Sequence, residues 1–252
     1  MFLFRGLTFR LAVPLLLAAV VGGATWWFFI REDNEAQKDA AAVTDEVRQA
    51  ASATAAATTG DDPRTVTSNG ASTFRDASYR IVEGQSEAWY LAPEKLANLP
   101  TSSVARGATK EVAGEFHVTE SGLSPDRQTT FTVGLTTLRS DQSRRDNRVH
   151  GALNTSTYPE ATFTATELRG LPAELSATED SVMELVGLLD LHGVQREVTW
   201  ELKAKQDGDI ISVLATTTFN YSDFDITKPE IAGFVTVEDE VTLQVQIFAA
   251  RA

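Results

Sequence analysis

The sequence predicts an all-β domain over residues 74–252. Short segments in this part alternate apolar with small or polar residues at period two, which indicates strands with one buried face and one solvated face. Clusters of Gly, Pro, Asn and Asp separate these segments, and Asp207-Gly208 is typical of a tight hairpin turn. The alternating segments are residues 131–135, 161–168, 198–202, 211–219 and 241–247. Such strands form either a sandwich or a barrel, and periodicity does not choose between the two.

An uncharged run of 20 residues, 11–30, precedes this domain. At a helical rise of about 1.5 Å per residue, the run spans roughly the hydrocarbon thickness of a bilayer. Arg5 and Arg10 come before it and acidic residues follow Arg31, so the Lys/Arg bias places residues 1–10 in the cytoplasm. We expect an uncleaved transmembrane signal anchor in a single-pass protein of the cell membrane, with the β domain outside (periplasmic or extracellular).

The alternative for this run is a cleaved signal peptide with a small-residue site near residues 22–24. The apolar run continues past that site through two tryptophans to Ile30, which favours the uncleaved anchor. Either form sends the β domain to the same compartment.

Residues 31–73 consist mainly of Ala, Thr, Ser and charged residues, with almost no large apolar side chain. Residues 35–57 could form a fraying helix, but without an apolar face it has nothing to pack against. Residues 58–72 contain Gly60, Pro63 and Gly70, which is typical of a linker. We expect a flexible stalk between the membrane and the β domain.

Composition excludes several classes of function. The formal net charge is −13, so we expect no binding to nucleic acid, whose phosphates an acidic surface repels. The chain has no cysteine, which excludes disulfides, thiolate metal sites and a cysteine nucleophile. His117, His150 and His192 lack metal-ligand spacing, and no arrangement of Ser, His and Asp is specific enough to indicate catalysis. We therefore expect a protein that is not an enzyme and has no metal.

Two helical segments are predicted within the β domain. Residues 93–99 begin with Pro93, which suits a first helical turn, and stop before Pro100. The second lies in residues 140–155, where Asp141 is the expected cap. Its apolar edge consists of Leu138, Val149 and Leu153. In a barrel, such segments either close one end of a cavity as a lid or plug the bottom of the core.

Two segments, 144–163 (RRDNRVHGALNTSTYPEATF) and 185–200 (LVGLLDLHGVQREVTW), contain residues that strand formation alone does not require. Four more segments, two before these and two after them, fit the same pattern in order: SEAWY at 86–90, VAGEF at 112–116, FNYSDFDI at 219–226 and a closing strand at 237–247. Together they resemble the YceI-like family. The resemblance implies an antiparallel, lipocalin-like β-barrel with short helical segments, whose interior binds a polyisoprenoid lipid. It also implies the absence of catalytic residues and an extracytoplasmic location.

The sequence departs from the family's pattern at three positions. Tyr221 stands where the family often has Arg, Asp225 where it has Gly, and Asp190 where it has Thr. Tyr221 is the departure that could alter contact with a ligand headgroup. Arg145 and Asp146 are further candidates for such a contact, although an Arg-Asp pair beside a loop also forms local ion pairs that order the loop.

Alternation from these motifs predicts which side chains face the barrel interior. The predicted set mixes bulky rings with Gly114, Gly187 and alanines, and small residues opposite large ones would leave a long, narrow slot. The alternative is an ordinary core in which these residues pack on one another. The predicted ligand-binding residues are Ala88, Tyr90, Phe116, Phe131, Val133, Leu153, Phe163, Leu189, Phe219, Tyr221 and Phe224.

Two hypotheses of function follow. The first is a carrier or buffer for an isoprenoid-tailed lipid, of quinone or polyprenyl type, with no cofactor other than that ligand and with the membrane contacted through the N-terminal helix. The second is a cell-envelope interaction module with a filled barrel and an acidic outer surface. The sequence does not indicate an oligomeric state.

Overall fold

A computed structural model describes residues 36–58, 74–96, 102–229 and 235–252. The predicted anchor at 11–30 and residues 59–73 of the predicted stalk lie outside these ranges. Within them, no helix is both long enough and apolar enough to cross a bilayer.

The domain consists of antiparallel strands that close into a barrel. The strands are β1 (Ala77–Ile81), β2 (Glu87–Leu96), β3 (Ser102–Thr109), β4 (Val112–Thr119), β5 (Gly122–Leu123), β6 (Thr130–Gly134), β7 (Arg139–Ser140), β8 (Glu160–Arg169), β9 (Ser181–Leu191), β10 (Val194–Asp207), β11 (Ile210–Asn220), β12 (Val235–Val237) and β13 (Glu240–Arg251). The pairing order runs β1, β4, β6, β8, β9, β10, β11, β13 and returns to β1, which closes eight strands. This confirms the predicted antiparallel barrel.

The longest hairpins meet the turn chemistry that the sequence predicts. β9 and β10 are joined by His192 and Gly193, both with positive φ (58° and 78°), as a tight two-residue hairpin requires. β10 and β11 are joined at Gly208, which also has positive φ. Asp225, at the position where the resemblance places Gly, has a φ of 54°. Aspartate tolerates this left-handed conformation because its short polar side chain can hydrogen-bond locally.

The predicted helix at 93–99 is wrong over the part that the structure describes, because residues up to Leu96 belong to β2. Pro93 pairs with Val104 of β3, and its carbonyl accepts a hydrogen bond of 2.9 Å from the Glu238 amide. β2 pairs with β13 through Leu91 and with β12 from Glu94 onward, so Pro93 lies where the partner strand changes. Proline is tolerated at such a break in the ladder, and strand partners distant in sequence outweigh the local helical signal.

The second predicted helix is confirmed, and its predicted cap is wrong. The helix, α2, spans Ser143–Ala152, and its N-cap residue is Gln142, whose side chain makes no capping bond. Asp146 in the first turn accepts hydrogen bonds from the Ser140 amide (2.8 Å) and the Ser140 hydroxyl (2.6 Å). The carboxylate that orders this end of the helix therefore reaches back from inside it, whereas Asp141 pairs with Arg145.

Residues 36–58 lie against the outside of the barrel, so the prediction that this segment has nothing to pack against is wrong. Helix α1, Asp45–Thr58, buries Val47 and Ala51 against Ile210 and Phe248. The two helical residues are four apart and share one face. Small side chains suffice here because the partner surface is a strand wall that a helix can approach closely.

The stretch before α1 is held by polar side chains on the outer face of the barrel. The Gln244 side chain accepts a hydrogen bond from the Gln37 amide (2.8 Å) and donates one to the Gln37 carbonyl (2.9 Å). The Ala41 amide donates to the Gln246 side chain (2.9 Å), and the Ser212 hydroxyl donates to the Ala41 carbonyl (2.6 Å). This part of the predicted stalk is therefore an added layer on the barrel.

Candidate functional site

The barrel encloses an apolar cavity of about 200 Å³. Its wall extends from Phe74 and Ile211, near one end of the barrel, to Leu191 and Ile226 near the other. An apolar cavity of about 150 Å³ is enough to admit benzene, so this space is large enough for part of an apolar ligand. The interior is therefore hollow, unlike that of a barrel in which side chains fill all the space.

Ten of the eleven predicted ligand-binding residues line this cavity, and Phe224 does not. Phe224 is fully buried, and its ring meets the Phe219 ring edge to face at 4.7 Å between centroids. It closes a single 3-10 turn, Tyr221–Phe224, in which the Asn220 amide donates to the Asp223 carboxylate (2.9 Å). Phe224 lies in this turn, beyond the end of β11 and outside the alternating positions 217, 219 and 221. That the other ten contact a ligand stays a prediction.

Several of these residues form a continuous row of aromatic rings across the interior. Phe116 and Phe131 lie 6.2 Å apart between ring centroids, Phe131 and Phe163 6.4 Å, and Phe163 meets Trp200 edge to face at 6.0 Å. Tyr79 extends the row, stacked on Phe116 at 5.0 Å. The rings lie on β1, β4, β6, β8 and β10, and three of them, Phe116, Phe131 and Phe163, follow from the inward alternation that the sequence predicts.

The glycines of the predicted set hold these rings instead of widening the cavity. A Cβ added at Gly114 would lie 2.5 Å from the Thr130 carbonyl oxygen and 3.0 Å from the Phe131 side chain. One added at Gly187 would lie 2.3 Å from the Thr164 carbonyl oxygen and 2.6 Å from the Phe163 ring. The expectation that glycine opposite a bulky residue leaves a slot is therefore wrong at these two positions. Five alanines do border the cavity, namely Ala88, Ala152, Ala161, Ala204 and Ala215.

The strands β10, β11 and β13 contribute cavity residues that the predicted set omitted. Their side chains are Trp200, Leu202, Ala204, Ile211, Val213, Ala215, Val241, Leu243, Val245 and Ile247. The signal was present in the sequence, because stepping back by two from Phe219 along β11 reaches Ala215, Val213 and Ile211. The same alternation applied to residues 198–202 identifies Trp200 and Leu202.

Helix α2 and the residues around it cover one end of the cavity. Leu138, Val149 and Leu153, which form the predicted apolar edge, all line it. A lid and a plug would both lie at this end of the cavity, so the position fits either interpretation. That the segment moves stays a prediction.

An ion pair connects α2 to the barrel wall beside this end. Arg145 lies 3.6 Å from the Glu94 carboxylate on β2 and also pairs with Asp141. Asp146 accepts hydrogen bonds from Ser140, and Arg145 pairs with Glu94 and Asp141. These contacts favour the interpretation that Arg145 and Asp146 order the loop over the one in which they contact a ligand headgroup. Burial raises the pKa of Glu94, and the nearby Arg145 opposes this shift.

Two tyrosines of the cavity lining, Tyr90 and Tyr221, lie near this ion pair. Burial raises the pKa of Tyr90 and of Tyr221, so both hydroxyls stay neutral across the physiological range. Tyr221 therefore supplies a neutral hydroxyl at the position where the resemblance places a cation.

The three histidines lie apart. The His117 ring contacts the Ser78 hydroxyl (2.7 Å), while His150 and His192 donate to the carbonyls of Leu138 (3.0 Å) and Phe224 (3.2 Å). In the described ranges, no group of three or more acidic or histidine side chains is arranged to hold a metal ion.

Comparison with known proteins decides the family. The model of the YceI-like domain matches residues 79–249. The chain belongs to the YceI-like family. Protein YceI of Escherichia coli O157:H7 is 33% identical over 105 residues, which cover 41% of this chain and 50% of that protein. Protein YceI of Salmonella arizonae is 30% identical over a stretch of the same length. The chain thus spans about half the length of the curated relatives that it matches.

Two solved structures share the barrel fold. A polyisoprenoid binding domain from Saccharophagus degradans, implicated in plant cell wall breakdown, superposes with a TM-score of 0.54 at 17% identity and covers 70% of this chain and 99% of its own. Burkholderia cenocepacia BcnA gives a TM-score of 0.51 at 19% identity, covering 68% of this chain and 99% of its own. At these identities the comparison shows a common fold.

Proposed function

We propose that this YceI-like protein binds an isoprenoid-tailed lipid, of quinone or polyprenyl type, in the barrel cavity. In this proposal the protein is a non-enzymatic, extracytoplasmic carrier or buffer, held at the cell membrane by residues 11–30. The apolar cavity of about 200 Å³ is the observation that carries the proposal. The fold shared with a polyisoprenoid binding domain supports the same class of ligand.

Burial of the isoprenoid tail supplies the binding energy. Each buried methylene-sized group contributes about 0.8 kcal/mol, so a five-carbon isoprene unit contributes roughly 4 kcal/mol before the cost of ordering the chain. The aromatic row and the alanines along the wall offer contact to a flexible chain without requiring polar groups from it. The neutral hydroxyls of Tyr90 and Tyr221 provide polar contacts near the end covered by α2.

The test is native mass spectrometry of the full chain, released from detergent after expression in a host that makes quinones and polyprenyl lipids. Solvent extraction of the same sample identifies the bound molecule. We expect a stoichiometric mass increment that corresponds to an isoprenoid-containing lipid. A protein that remains unliganded after incubation with quinones and polyprenols would instead support the interaction module.

A pair of variants separates binding in the cavity from adhesion to the surface. Ala215→Phe adds a ring to the cavity wall, whereas Leu188→Phe adds one to an exposed position on the outer face of β9. We expect Ala215→Phe to lose most of the bound lipid and Leu188→Phe to retain it. Equal retention by both variants would contradict binding inside the barrel.

A further inference from the structure

Positive charge is concentrated at helix α2, on a domain that is otherwise acidic. Residues 74–252 contain 16 Lys and Arg residues and 27 Asp and Glu residues, which gives a formal charge of −11. Four of these 16 cations, all of them arginine, fall within the ten residues 139–148, which contain only two aspartates. Residues 139–148, which span β7 and most of α2, therefore have a formal charge of +2.

Three of the four arginines keep this charge at the surface. Arg139, Arg144 and Arg148 are exposed, whereas Arg145 is turned to its carboxylate partners. Arg144 and Arg148 are four residues apart, so they share one side of the helix. Val149 is buried and lines the cavity. The helix thus has an apolar side toward the cavity and a basic side toward solvent, and we call Arg139, Arg144 and Arg148 the basic face.

The basic face lies over one end of the cavity. Leu138, Val149 and Leu153 all line the cavity, so α2 covers it at this end. A partner bound to the basic face therefore lies beside the covered end of the cavity.

The N-terminal segment meets the barrel close to the basic face. The Gln37 amide donates to the Gln244 side chain on β13 (2.8 Å). Gln244 is paired with Trp89 on β2, Trp89 with Ala108 on β3, and Ala108 with Arg139 on β7. Three strand spacings of about 4.8 Å separate Gln244 from Arg139, so the two residues lie roughly 15 Å apart along the wall.

The length of chain before Gln37 favours one kind of partner. The predicted anchor at 11–30 is followed by residues 31–36, and an extended segment of this length spans at most about 20 Å. A bilayer that holds the anchor is therefore within reach of the wall on which the basic face lies. Anionic phospholipid headgroups complement the basic face in charge and repel the acidic remainder of the domain.

We propose that the basic face of α2 docks on anionic phospholipid headgroups of the bilayer that holds the anchor. This inference goes beyond the proposed function and rests on it for the anchor alone. Each Lys or Arg near an anionic surface strengthens binding by roughly fivefold, and attachment through the anchor makes the contact intramolecular. The covered end of the cavity then faces the membrane, so a lipid passes between bilayer and barrel at this end.

The test measures which end of the barrel contacts lipid headgroups. The full chain is placed in nanodiscs of phosphatidylcholine, or of phosphatidylcholine and phosphatidylglycerol in equal parts, with a headgroup-spin-labelled phosphatidylcholine as quencher. Because the chain has no cysteine, a single fluorophore is attached at Asn147→Cys, exposed on α2. The comparison label is at Ser121→Cys, which is exposed beside Glu120, whose carbonyl accepts a hydrogen bond from Arg75 (3.0 Å) at the Phe74 end.

We expect several-fold stronger quenching at position 147 than at position 121 in the discs that contain phosphatidylglycerol. The difference should disappear at about 0.5 M salt, where the Debye length is roughly 4 Å. In Arg144→Gln/Arg148→Gln, the ratio of docked to undocked protein should fall by roughly twentyfold, and quenching at 147 should return to its value in phosphatidylcholine.

Arg127→Gln/Arg169→Gln is the matched control. It removes the same charge from two exposed positions outside residues 139–148, so quenching at 147 should stay at the wild-type value. Circular dichroism of all variants establishes that they fold. Equal quenching by the two double variants would attribute the contact to net charge and overturn the docking role of the basic face.

A second copy of this acidic chain is the competing occupant of the basic face. It would shield position 147 from aqueous iodide equally in both kinds of disc, without quenching by the headgroups, and this result also overturns the proposal. Equal headgroup quenching at 147 with and without phosphatidylglycerol does the same. The measurement requires no bound ligand, so each of these outcomes leaves lipid binding in the cavity standing, and native mass spectrometry tests that binding separately.

Discussion

The ring of Phe163 lies over Gly187, across the pair of strands β8 and β9. A methyl group at Gly187 would come within 2.6 Å of the ring, closer than real side chains approach. The same ring contacts Trp200 at the centre of the aromatic row. The glycine therefore sets the position of a ring that borders the cavity.

Gly187→Ala should destabilise the barrel by about 1–3 kcal/mol, because the added methyl group would lie 2.3 Å from the Thr164 carbonyl oxygen and 2.6 Å from the Phe163 ring, so both the β8 backbone and the ring must shift. Urea denaturation measures the change in the free energy of unfolding. Gly151→Ala is the control, because Gly151 lies in α2 with open space around it. Alanine there should leave stability unchanged or raise it by up to about 1 kcal/mol. Equal effects of the two substitutions would show that neither the β8 backbone nor the Phe163 ring requires glycine at position 187.

Val47→Ala should lower the free energy of unfolding by about 1–2 kcal/mol, because Val47 is buried against Ile210 and Phe248 on the outside of the barrel. Gln49→Ala, on the exposed side of the same helix, should change it by less than about 0.5 kcal/mol. Both values come from urea denaturation of the full chain. A Val47 variant as stable as the Gln49 variant would indicate that α1 does not add to the stability of the barrel.

Glu94→Gln should change the pH dependence of stability. Burial raises the pKa of Glu94, so the folded state holds this proton at pH values where the unfolded chain has released it. The wild-type protein therefore loses stability as the pH rises from the ordinary carboxyl value through the raised one, and the glutamine variant does not. The stability of the variant minus that of the wild type should grow across this interval and then level off, as measured by urea denaturation between pH 4 and 8.

Glu238→Gln is a control for which the change of stability with pH should have the opposite sign. The hydrogen bond from Lys95 lowers the pKa of Glu238, so its contribution is present above the ordinary carboxyl value and is lost as the pH falls through the lowered one. Relative to the wild type, this variant should become less stable as the pH rises, and the effect should be small because the pair is exposed. A difference for Glu94→Gln that is flat with pH would contradict the raised pKa.

A disulfide between Ala108→Cys and Arg139→Cys should slow ligand exchange if residues 138–153 move as a lid. These positions are paired across β3 and β7, within the spacing that a disulfide bridges, and the chain has no cysteine to compete. Exchange is measured with a fluorescent isoprenoid probe before and after reduction. A disulfide between Thr218→Cys and Thr242→Cys, whose native hydroxyls lie 3.2 Å apart on other strands, is the control. Equal exchange rates in the oxidised and reduced Ala108/Arg139 variant would rule out the lid.

Much of the candidate site is readable from alternation alone. Tyr90, Phe131, Phe163 and Leu189 line the cavity because each lies on the inward face of a regular strand. The prediction is wrong at Phe224 for the cavity lining, because this residue lies beyond β11 in a 3-10 turn, where the Asn220 amide donates to the Asp223 carboxylate. Trp200 satisfies the same alternation, yet its edge-to-face contact with the Phe163 ring is visible only in the tertiary structure.

The sequence by itself determined the strand pattern, the tight turns and the family, because these depend on residue order and on backbone preferences within a few positions. Only the tertiary structure decided that residues 93–96 are strand, that residues 36–58 cover the barrel wall and that glycines hold aromatic rings. Each of these depends on partners far away in sequence: Val104 for Pro93, Gln244 for Gln37, and Phe163 for Gly187. Local propensities differ by about 1 kcal/mol or less, and strand pairing and burial from distant segments outweigh them.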